Sequence, residues 1–252
     1  MKRAKKLTMI ITSIVLAMLL CVVGIIIFIK RHEDKIDYIA HRGHGYYENT
    51  EDAFYNSKSF WGIECDVWVT SDNKFIVNHD SSVDFDDGSS LKISSSTYEQ
   101  LLSGTIGGGY KVCAFDRYLQ ICKELSKIAV IEIKPDLSAD AVELLIEEIT
   151  NNYSTDNAVI ISFSKENLLK VRAHSSISLQ YLINDEVRKS MNFCIENSIN
   201  PSFAWGRVDI FNVWKAHKNN LKVGVWTINN SIANAYMKFM GVDYITSDKF
   251  YK

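Results

Sequence analysis

The feature that most limits what this chain can fold into is a regular alternation of two kinds of segment. Short apolar runs rich in β-branched residues alternate with stretches in which apolar residues recur at helical spacing, as at Val142, Leu145, Ile146 and Ile149. The apolar runs predict eight strands, at 37–40, 62–69, 128–134, 158–163, 178–183, 198–203, 222–228 and 243–246. Strand and helix in regular alternation predict a parallel sheet covered by helices.

Eight such units favour a closed (β/α)8 TIM barrel, with an open doubly wound sheet as the alternative. The chain has only two prolines and no repeat, so we expect one domain over residues 36–252. Two segments interrupt the alternation after the second strand. Asp72 and Asn73 predict a short hairpin within 71–80, and residues 81–110 predict an excursion over the barrel mouth, with one helix capped by Thr97 and Gln100.

The N-terminal segment is of a different kind. From Leu7 to Ile29 it carries no charge, and a helix of that length reaches about 34 Å, enough to cross a bilayer core. Lys2, Arg3, Lys5 and Lys6 precede it with no acidic residue among them, which predicts a cytoplasmic N-terminus and an anchor over residues 1–30, with the domain outside the cytoplasm. A cleaved signal peptide is the alternative. It is less favoured because the apolar run is long and no A-x-A site follows it.

Charge and cysteine content argue against two other classes of protein. The 28 Lys and Arg residues nearly balance the 30 Asp and Glu residues, so no basic surplus exists to neutralise nucleic-acid phosphates, and we expect no nucleic-acid partner. The cysteines form neither a CxxC pair nor a dense framework, which indicates buried apolar residues rather than disulfides: Cys21, Cys65, Cys113, Cys122 and Cys194.

Carboxylates lie on two neighbouring predicted strands of the barrel. Glu64 and Asp66 alternate with apolar residues on the second strand, and Glu132 does so on the third, so all of them point into one barrel mouth. Two such charges 4 Å apart repel by about 4 kcal/mol at an effective dielectric constant near 20, so a cation is needed among them. Oxygen ligands alone favour a divalent Mg²⁺ or Ca²⁺ ion. The alternative is a salt-bridge network with Lys134 or Arg42 and no metal.

Two histidines also lie at predicted strand ends. His41 and His79 each have charged neighbours, and an imidazole titrates near neutral pH, so they form a candidate acid and base pair whose order is open. In this hypothesis, Arg42 and a metal stabilise the charge of a phosphorane-like transition state.

Taken together, these residues resemble the signature of the glycerophosphodiester phosphodiesterase family. The matching motifs are HRG at 41–43, ENT at 48–50, G-x-E-x-D-V at 62–67, HD at 79–80, IEIK at 131–134, WTIN at 226–229 and GVDYITSD at 241–248. The resemblance runs from about Ile36 to Lys252. It implies a TIM-barrel enzyme that uses a divalent metal to hydrolyse glycerophosphodiesters to an alcohol and glycerol 3-phosphate. The predicted outward-facing anchor adds diesters linked to a cell-envelope polymer to the free diesters as candidate substrates.

The resemblance also implies a role for each matching position. His41 and His79 fall on the family's acid and base, Arg42 on its phosphate contact, Lys134 on its active-site lysine, and Glu64, Asp66 and Glu132 on its metal ligands. Trp226 is expected either to form a wall against the substrate or to pack in the barrel. Asn49 is expected either to line the site or to cap the helix that begins near Thr50.

Two other functions share features with this interpretation. A phospholipase D-like lyase acting on membrane lipid has the same barrel and a histidine pair, and it suits an anchored chain. A non-catalytic module that binds phosphorylated ligands predicts the loss of at least one motif residue. No motif residue is missing here, so the sequence favours a membrane-anchored phosphodiesterase at the cell membrane with its domain outside the cytoplasm.

Overall fold

The computed structural model describes the backbone of residues 2–33 and 36–251. Within 2–33 it describes the side chains of residues 6, 9–20 and 22–24. The helices are α1 (Lys2–Glu33), α2 (Glu51–Tyr55), α3 (Tyr98–Leu102), α4 (Phe115–Leu125), α5 (Ala139–Asn152), α6 (Lys165–His174), α7 (Val187–Asn197), α8 (Ile210–Lys218) and α9 (Ser231–Met240).

Eight parallel strands form a closed barrel. The strands of the chain are β1 (Asp37–Ala40), β2 (Gly62–Val69), β3 (Phe75–Val77), β4 (Ser82–Asp84), β5 (Ser90–Lys92), β6 (Thr105–Ile106), β7 (Tyr110–Lys111), β8 (Cys113–Ala114), β9 (Ile128–Ile133), β10 (Ala158–Ser162), β11 (Ser178–Ile183), β12 (Asn200–Ala204), β13 (Gly224–Trp226) and β14 (Tyr244–Ser247). β1 pairs with both β2 and β14, and the order between them is β9, β10, β11, β12 and β13. The barrel prediction is therefore confirmed, and the open-sheet alternative is wrong.

The outer helices begin and end where side chains satisfy their free backbone groups. Ser138 caps α5 by accepting a hydrogen bond from the backbone N–H of Ala141. Asn230 caps α9 in the same way, and α9 ends at Gly241, whose φ of 79° is a left-handed conformation that glycine adopts without strain. These caps fix where α5 and α9 begin, and therefore where the loops that precede the two helices end.

The main core lies between the barrel strands and the surrounding helices. Ile63 and Cys65 on β2 are fully buried and point outward, in one cluster with Tyr118 and Leu119 of α4. Because side chains alternate along a strand, the intervening Glu64 and Asp66 point inward. The cysteine prediction is confirmed for Cys65, Cys113, Cys122 and Cys194, which are buried and free, whereas Cys21 lies outside the described side chains.

The excursion after β2 folds over the barrel as a small layer of its own. β3 pairs antiparallel with β2, with Val69 opposite Phe75, and the pairs β4–β5 and β6–β7 form two more hairpins. Thr97 and Gln100 form a capping box at the start of α3. The predicted hairpin and the predicted cap are both confirmed.

The N-terminal helix bears on the predicted membrane anchor. Within the part of the chain that the structure describes, no helix has the length and apolar character needed to cross a membrane. The predicted span includes Leu7, Thr8, Cys21 and residues 25–29, which lie outside the described side chains.

Candidate functional site

The predicted site residues meet where three adjacent strands end. β1 lies beside β2 and β2 lies beside β9, and Asp66 on β2 is directly opposite Glu132 on β9. His41 follows the last residue of β1. The parallel register therefore brings residues distant in the sequence to one end of the barrel.

Glu64, Asp66 and Glu132 form a compact acidic cluster. Each offers an oxygen within 4.8 Å of the other two, and Glu64 and Asp66 are only 2% and 1% exposed. Burial, together with repulsion from Asp66 and Glu132, raises the pKa of Glu64 well above its usual value. Burial and repulsion from Asp66 also raise the pKa of Glu132. The cluster is thus a place where negative charge is costly unless a cation joins it.

Two cationic side chains lie against part of this cluster. Lys134 Nζ is 3.0 Å from Glu132 Oε1 and 3.4 Å from Asp66 Oδ1, and Arg42 Nε is 3.2 Å from Asp66 Oδ2. Burial acts to lower the pKa of Lys134 and of Arg42, but the carboxylates outweigh it and raise both. Both side chains are therefore charged at neutral pH.

The cluster still fits a divalent cation. Three carboxylates face two cationic side chains, so one negative charge is left over if all are ionised. Glu64 Oε2 accepts a hydrogen bond of 2.7 Å from the backbone N–H of Arg42, while its Oε1 is buried with no partner. A buried carboxylate oxygen without a partner is what an ion would satisfy. The salt-bridge network that we named as the alternative to a metal exists around Asp66 and Glu132. It includes no ion pair to Glu64, whose Oε1 stays without a partner.

The turn after β1 is shaped to aim Arg42. Arg42 and Gly43 both have left-handed backbone conformations, with φ of 54° and 80°. A Cβ atom on Gly43 would lie 2.7 Å from the backbone carbon of Ala53, so only glycine fits there. Arg42 Nη1 also donates to Glu48 at 2.6 Å, which fixes the guanidinium beside Asp66.

Asn49 holds one of the carboxylates in place. Its Nδ2 donates to Asp66 Oδ2 at 2.8 Å, and its side chain is buried. The helix cap is instead Thr50, which accepts a hydrogen bond from the backbone N–H of Ala53. The alternative that Asn49 caps this helix is therefore wrong. Its amide contacts Asp66, which agrees with the expectation that Asn49 lines the site.

Both histidines have one ring nitrogen paired with a carboxylate. His41 Nδ1 lies 2.7 Å from Asp248 Oδ1, and His79 Nδ1 lies 2.8 Å from Asp80 Oδ1. The bond to His41 is the main reason why the pKa of Asp248 is lowered, and Asn229 donates to the other oxygen of Asp248. Because an ionised carboxylate only accepts, each ring carries its hydrogen on Nδ1 and leaves Nε2 for proton transfer.

A cavity of about 200 Å³ joins these groups. Its wall includes both histidines, both glutamates of the cluster, the two cationic side chains and Trp226, that is, His41, His79, Glu64, Glu132, Arg42, Lys134 and Trp226. Trp226 donates through Nε1 to the carbonyl oxygen of Ser202 at 3.1 Å and meets Phe163 edge to face. Trp226 thus both lines the cavity and packs against its neighbours. Every residue predicted for the site lies at or beside this cavity.

A second cavity of about 400 Å³ opens beside the first. His41 and His79 line both cavities. Residues of the loops at 43–49 and 78–84 form most of the remaining wall of the larger one. The two histidines therefore lie between a compartment inside the barrel and a compartment under the excursion.

Sequence reasoning gave no role to Asp248 or Asn229. Both occur in matching motifs, WTIN and GVDYITSD, but nothing in those motifs says which side chain they contact. The only signal was the presence of polar residues directly after the seventh and eighth barrel strands, where a barrel places its reacting groups.

Comparison with known proteins gives a consistent family. The model of the family described as glycerophosphoryl diester phosphodiesterase matches residues 41–252. The Bacillus subtilis (strain 168) protein YhdW, a candidate glycerophosphodiester phosphodiesterase, is 27% identical over 232 residues, which is 83% of this chain and 93% of YhdW.

Solved structures share the fold. A glycerophosphodiester phosphodiesterase from Parabacteroides distasonis superposes with a TM-score of 0.74 at 23% identity, over 85% of this chain and 93% of that one. A phosphodiesterase from Oleispira antarctica, solved in complex with its product sn-glycerol-3-phosphate, gives a TM-score of 0.78 at 17% identity, over 86% of this chain and 94% of that one. At these identities the likeness supports the fold alone.

Proposed function

The chain belongs to the glycerophosphoryl diester phosphodiesterase family, and from that premise we propose that it hydrolyses glycerophosphodiesters to an alcohol and glycerol 3-phosphate with one divalent cation, Mg²⁺ or Ca²⁺. The observation that carries the proposal is the single cavity lined by His41, His79, Glu64 and Glu132. It offers two proton-transfer groups and two members of the acidic cluster around a space where one phosphate can lie.

Glu64, Asp66 and Glu132 are the residues that would hold the cation. When bound, the cation supplies positive charge that polarises the phosphate and offsets the charge of the transition state. In this proposal Arg42 and Lys134 bind the phosphate oxygens, because both line the cavity and the pKa of each is raised, so both bring positive charge to it. Asn49 keeps Asp66 oriented.

The two histidines move the protons. One imidazole takes the proton of the neighbouring glycerol hydroxyl through Nε2 as that oxygen forms a bond to phosphorus. The other imidazole gives a proton to the alcohol oxygen as its bond to phosphorus breaks. Water then opens the cyclic phosphate with the proton transfers reversed, which yields glycerol 3-phosphate. A neighbouring hydroxyl has a high effective concentration, and this favours glycerol esters over other diesters.

We also propose that α1 holds the barrel domain at the outer face of the cell membrane. The proposal is supported by the uncharged stretch of the sequence and by the exposed apolar side chains of residues 9–20. We expect the full chain in the membrane fraction, extracted by detergent but not by high salt, and cleaved by protease added outside intact cells. Recovery of the full chain in the soluble fraction would contradict the proposal.

The experiment that tests the activity follows release of glycerol 3-phosphate. Full-length protein in detergent is incubated with glycerophosphocholine and glycerophosphoethanolamine, each with Mg²⁺ or Ca²⁺. We expect glycerol 3-phosphate and the free alcohol as final products. A stable cyclic phosphate from intact lipid, with no release from the soluble diesters, would point to a lyase instead.

A further inference from the structure

Gln180 is a buried side chain whose amide nitrogen has no hydrogen-bond partner. It is 3% exposed, and its Nε2 is buried and makes no hydrogen bond. A buried donor without an acceptor destabilises the fold, so the position of this nitrogen calls for an explanation. Gln180 and Leu182 line the same cavity from β11, and most of the residues around them in the barrel interior are apolar. Leucine would fill the same place without that cost.

The surroundings of Gln180 hold its amide at the wall of the cavity. Ser202 on β12 lines the cavity beside it. A Cβ atom on Gly224 would lie 2.7 Å from Ser202 Oγ and 3.0 Å from Gln180 Oε1, so the two side chains converge over the backbone of this glycine. The missing side chain at 224 therefore makes the room that the amide and the hydroxyl occupy.

We propose that Gln180 binds the terminal hydroxyl of the substrate's glycerol group. The inference rests on the proposed function, in which the phosphate lies against Arg42 and Lys134 and the middle hydroxyl attacks phosphorus. The third carbon then extends into the cavity, and its hydroxyl is the one polar group of the glycerol left to be bound. The Gln180 amide donates to that oxygen, and Ser202 Oγ offers a second partner.

The proposal defines a substrate class, namely diesters whose glycerol carries a free terminal hydroxyl. An acyl chain on that oxygen removes its hydrogen and adds bulk inside a cavity of about 200 Å³. Lysophospholipids should therefore react poorly. A buried polar group that loses its partner discriminates strongly against an analogue without the hydroxyl.

The test compares two choline diesters that differ only in this hydroxyl. One is glycerophosphocholine. The other is its analogue built on propane-1,2-diol, which keeps the hydroxyl next to the phosphate. For full-length protein in detergent, we expect kcat/KM to favour the glycerol diester by about 10- to 100-fold, as one hydrogen bond to a buried amide would give. In Gln180→Leu this ratio should fall to near one.

Gln120→Leu is the matched control, because it makes the same change on α4 outside the barrel and should keep the wild-type ratio. The melting temperature of Gln180→Leu should equal or exceed that of the wild type, and Gln180→Met serves if the leucine variant does not fold. A wild-type ratio near one, or an unchanged ratio in the Gln180 variants, would overturn the inference while the proposed function stands. If the wild type hydrolysed neither diester, both the inference about Gln180 and the proposed function would be wrong.

Discussion

His41 Nδ1 lies 2.7 Å from Asp248 Oδ1, although 207 positions separate the two residues in the sequence. They meet because β1 and β14 are neighbours in the closed barrel, so the residues that follow these strands lie side by side. Asn229 donates to the second oxygen of Asp248 and holds the carboxylate still. The pair fixes the tautomer of His41 and presents its Nε2 to the cavity.

We predict that Asp248→Asn lowers kcat by about 10- to 100-fold and changes KM little, because Asp248 orients His41 and the acid or base step is worth about 10²- to 10⁴-fold. Steady-state kinetics on glycerophosphocholine measures both constants. Glu143→Gln is the control, since Glu143 pairs with His174 at 3.1 Å on the surface. An unchanged kcat in Asp248→Asn would show that the pair has no part in catalysis.

The histidines themselves give a larger effect. We predict that His41→Ala and His79→Ala each lower kcat by about 10²- to 10⁴-fold, while the melting temperature stays near that of the wild type. His217→Ala removes a histidine paired with Asp243 away from the cavity and should keep full activity. If either site variant kept more than about a tenth of the wild-type rate, its role as acid or base would be wrong.

A better leaving group should identify the acid. An alcohol that leaves readily needs no proton, so glycerol phosphate esterified to p-nitrophenol should be cleaved well by the variant that lacks the acid and poorly by the variant that lacks the base. The rate of p-nitrophenol release from His41→Ala and His79→Ala gives the assignment. Equal loss in both variants would contradict a simple division of roles.

Much of this architecture is visible in the sequence because it depends on local patterns. Short apolar runs rich in β-branched residues predicted β1, β2 and β11 with the bounds that the structure has. Alternation of side chains along a strand placed Glu64 and Asp66 on the inner face of β2, and Thr97 with Gln100 formed the predicted cap. Periodicity and capping are properties of neighbouring residues, so one chain is enough to show them.

What the sequence did not show is which side chains meet once the barrel has closed. Pairing of the first and last strands brings Asp248 beside His41, but the pattern of neither strand says that these two side chains contact each other. Gln180 is a polar residue in a mostly apolar strand, and its unpaired amide nitrogen is visible only once the neighbours are in place. Asn49 had two expected roles, and its hydrogen bond to Asp66, with Thr50 as the helix cap, decides between them.

One prediction concerns stability rather than catalysis. Burial, with repulsion from Asp116, raises the pKa of Glu148 from 4.5 to about 7. The folded chain therefore binds a proton that the unfolded chain releases between these values, so this group makes stability fall as pH rises through that window. Relative to the wild type, Glu148→Gln should be more stable by about 1–2 kcal/mol at pH 8, after allowance for solvent screening, and equal near pH 4.

Chemical denaturation of both proteins at the two pH values measures this difference. Glu147→Gln, on the exposed side of the same helix, is the matched control. Its free energy of unfolding should equal that of the wild type at both pH values. A gain for Glu148→Gln that is as large near pH 4 as at pH 8 would mean that the charge of Glu148 is not its cause.

The most direct test of the whole account is the release of glycerol 3-phosphate from glycerophosphocholine by full-length protein before and after exhaustive chelation. The account predicts that release stops in the chelator and returns when Mg²⁺ or Ca²⁺ is added. It also predicts that Glu132→Gln needs more of the ion to recover, because one of the three carboxylate ligands is lost. Release that continues undiminished after chelation would contradict the proposal that Glu64, Asp66 and Glu132 hold a cation for this reaction.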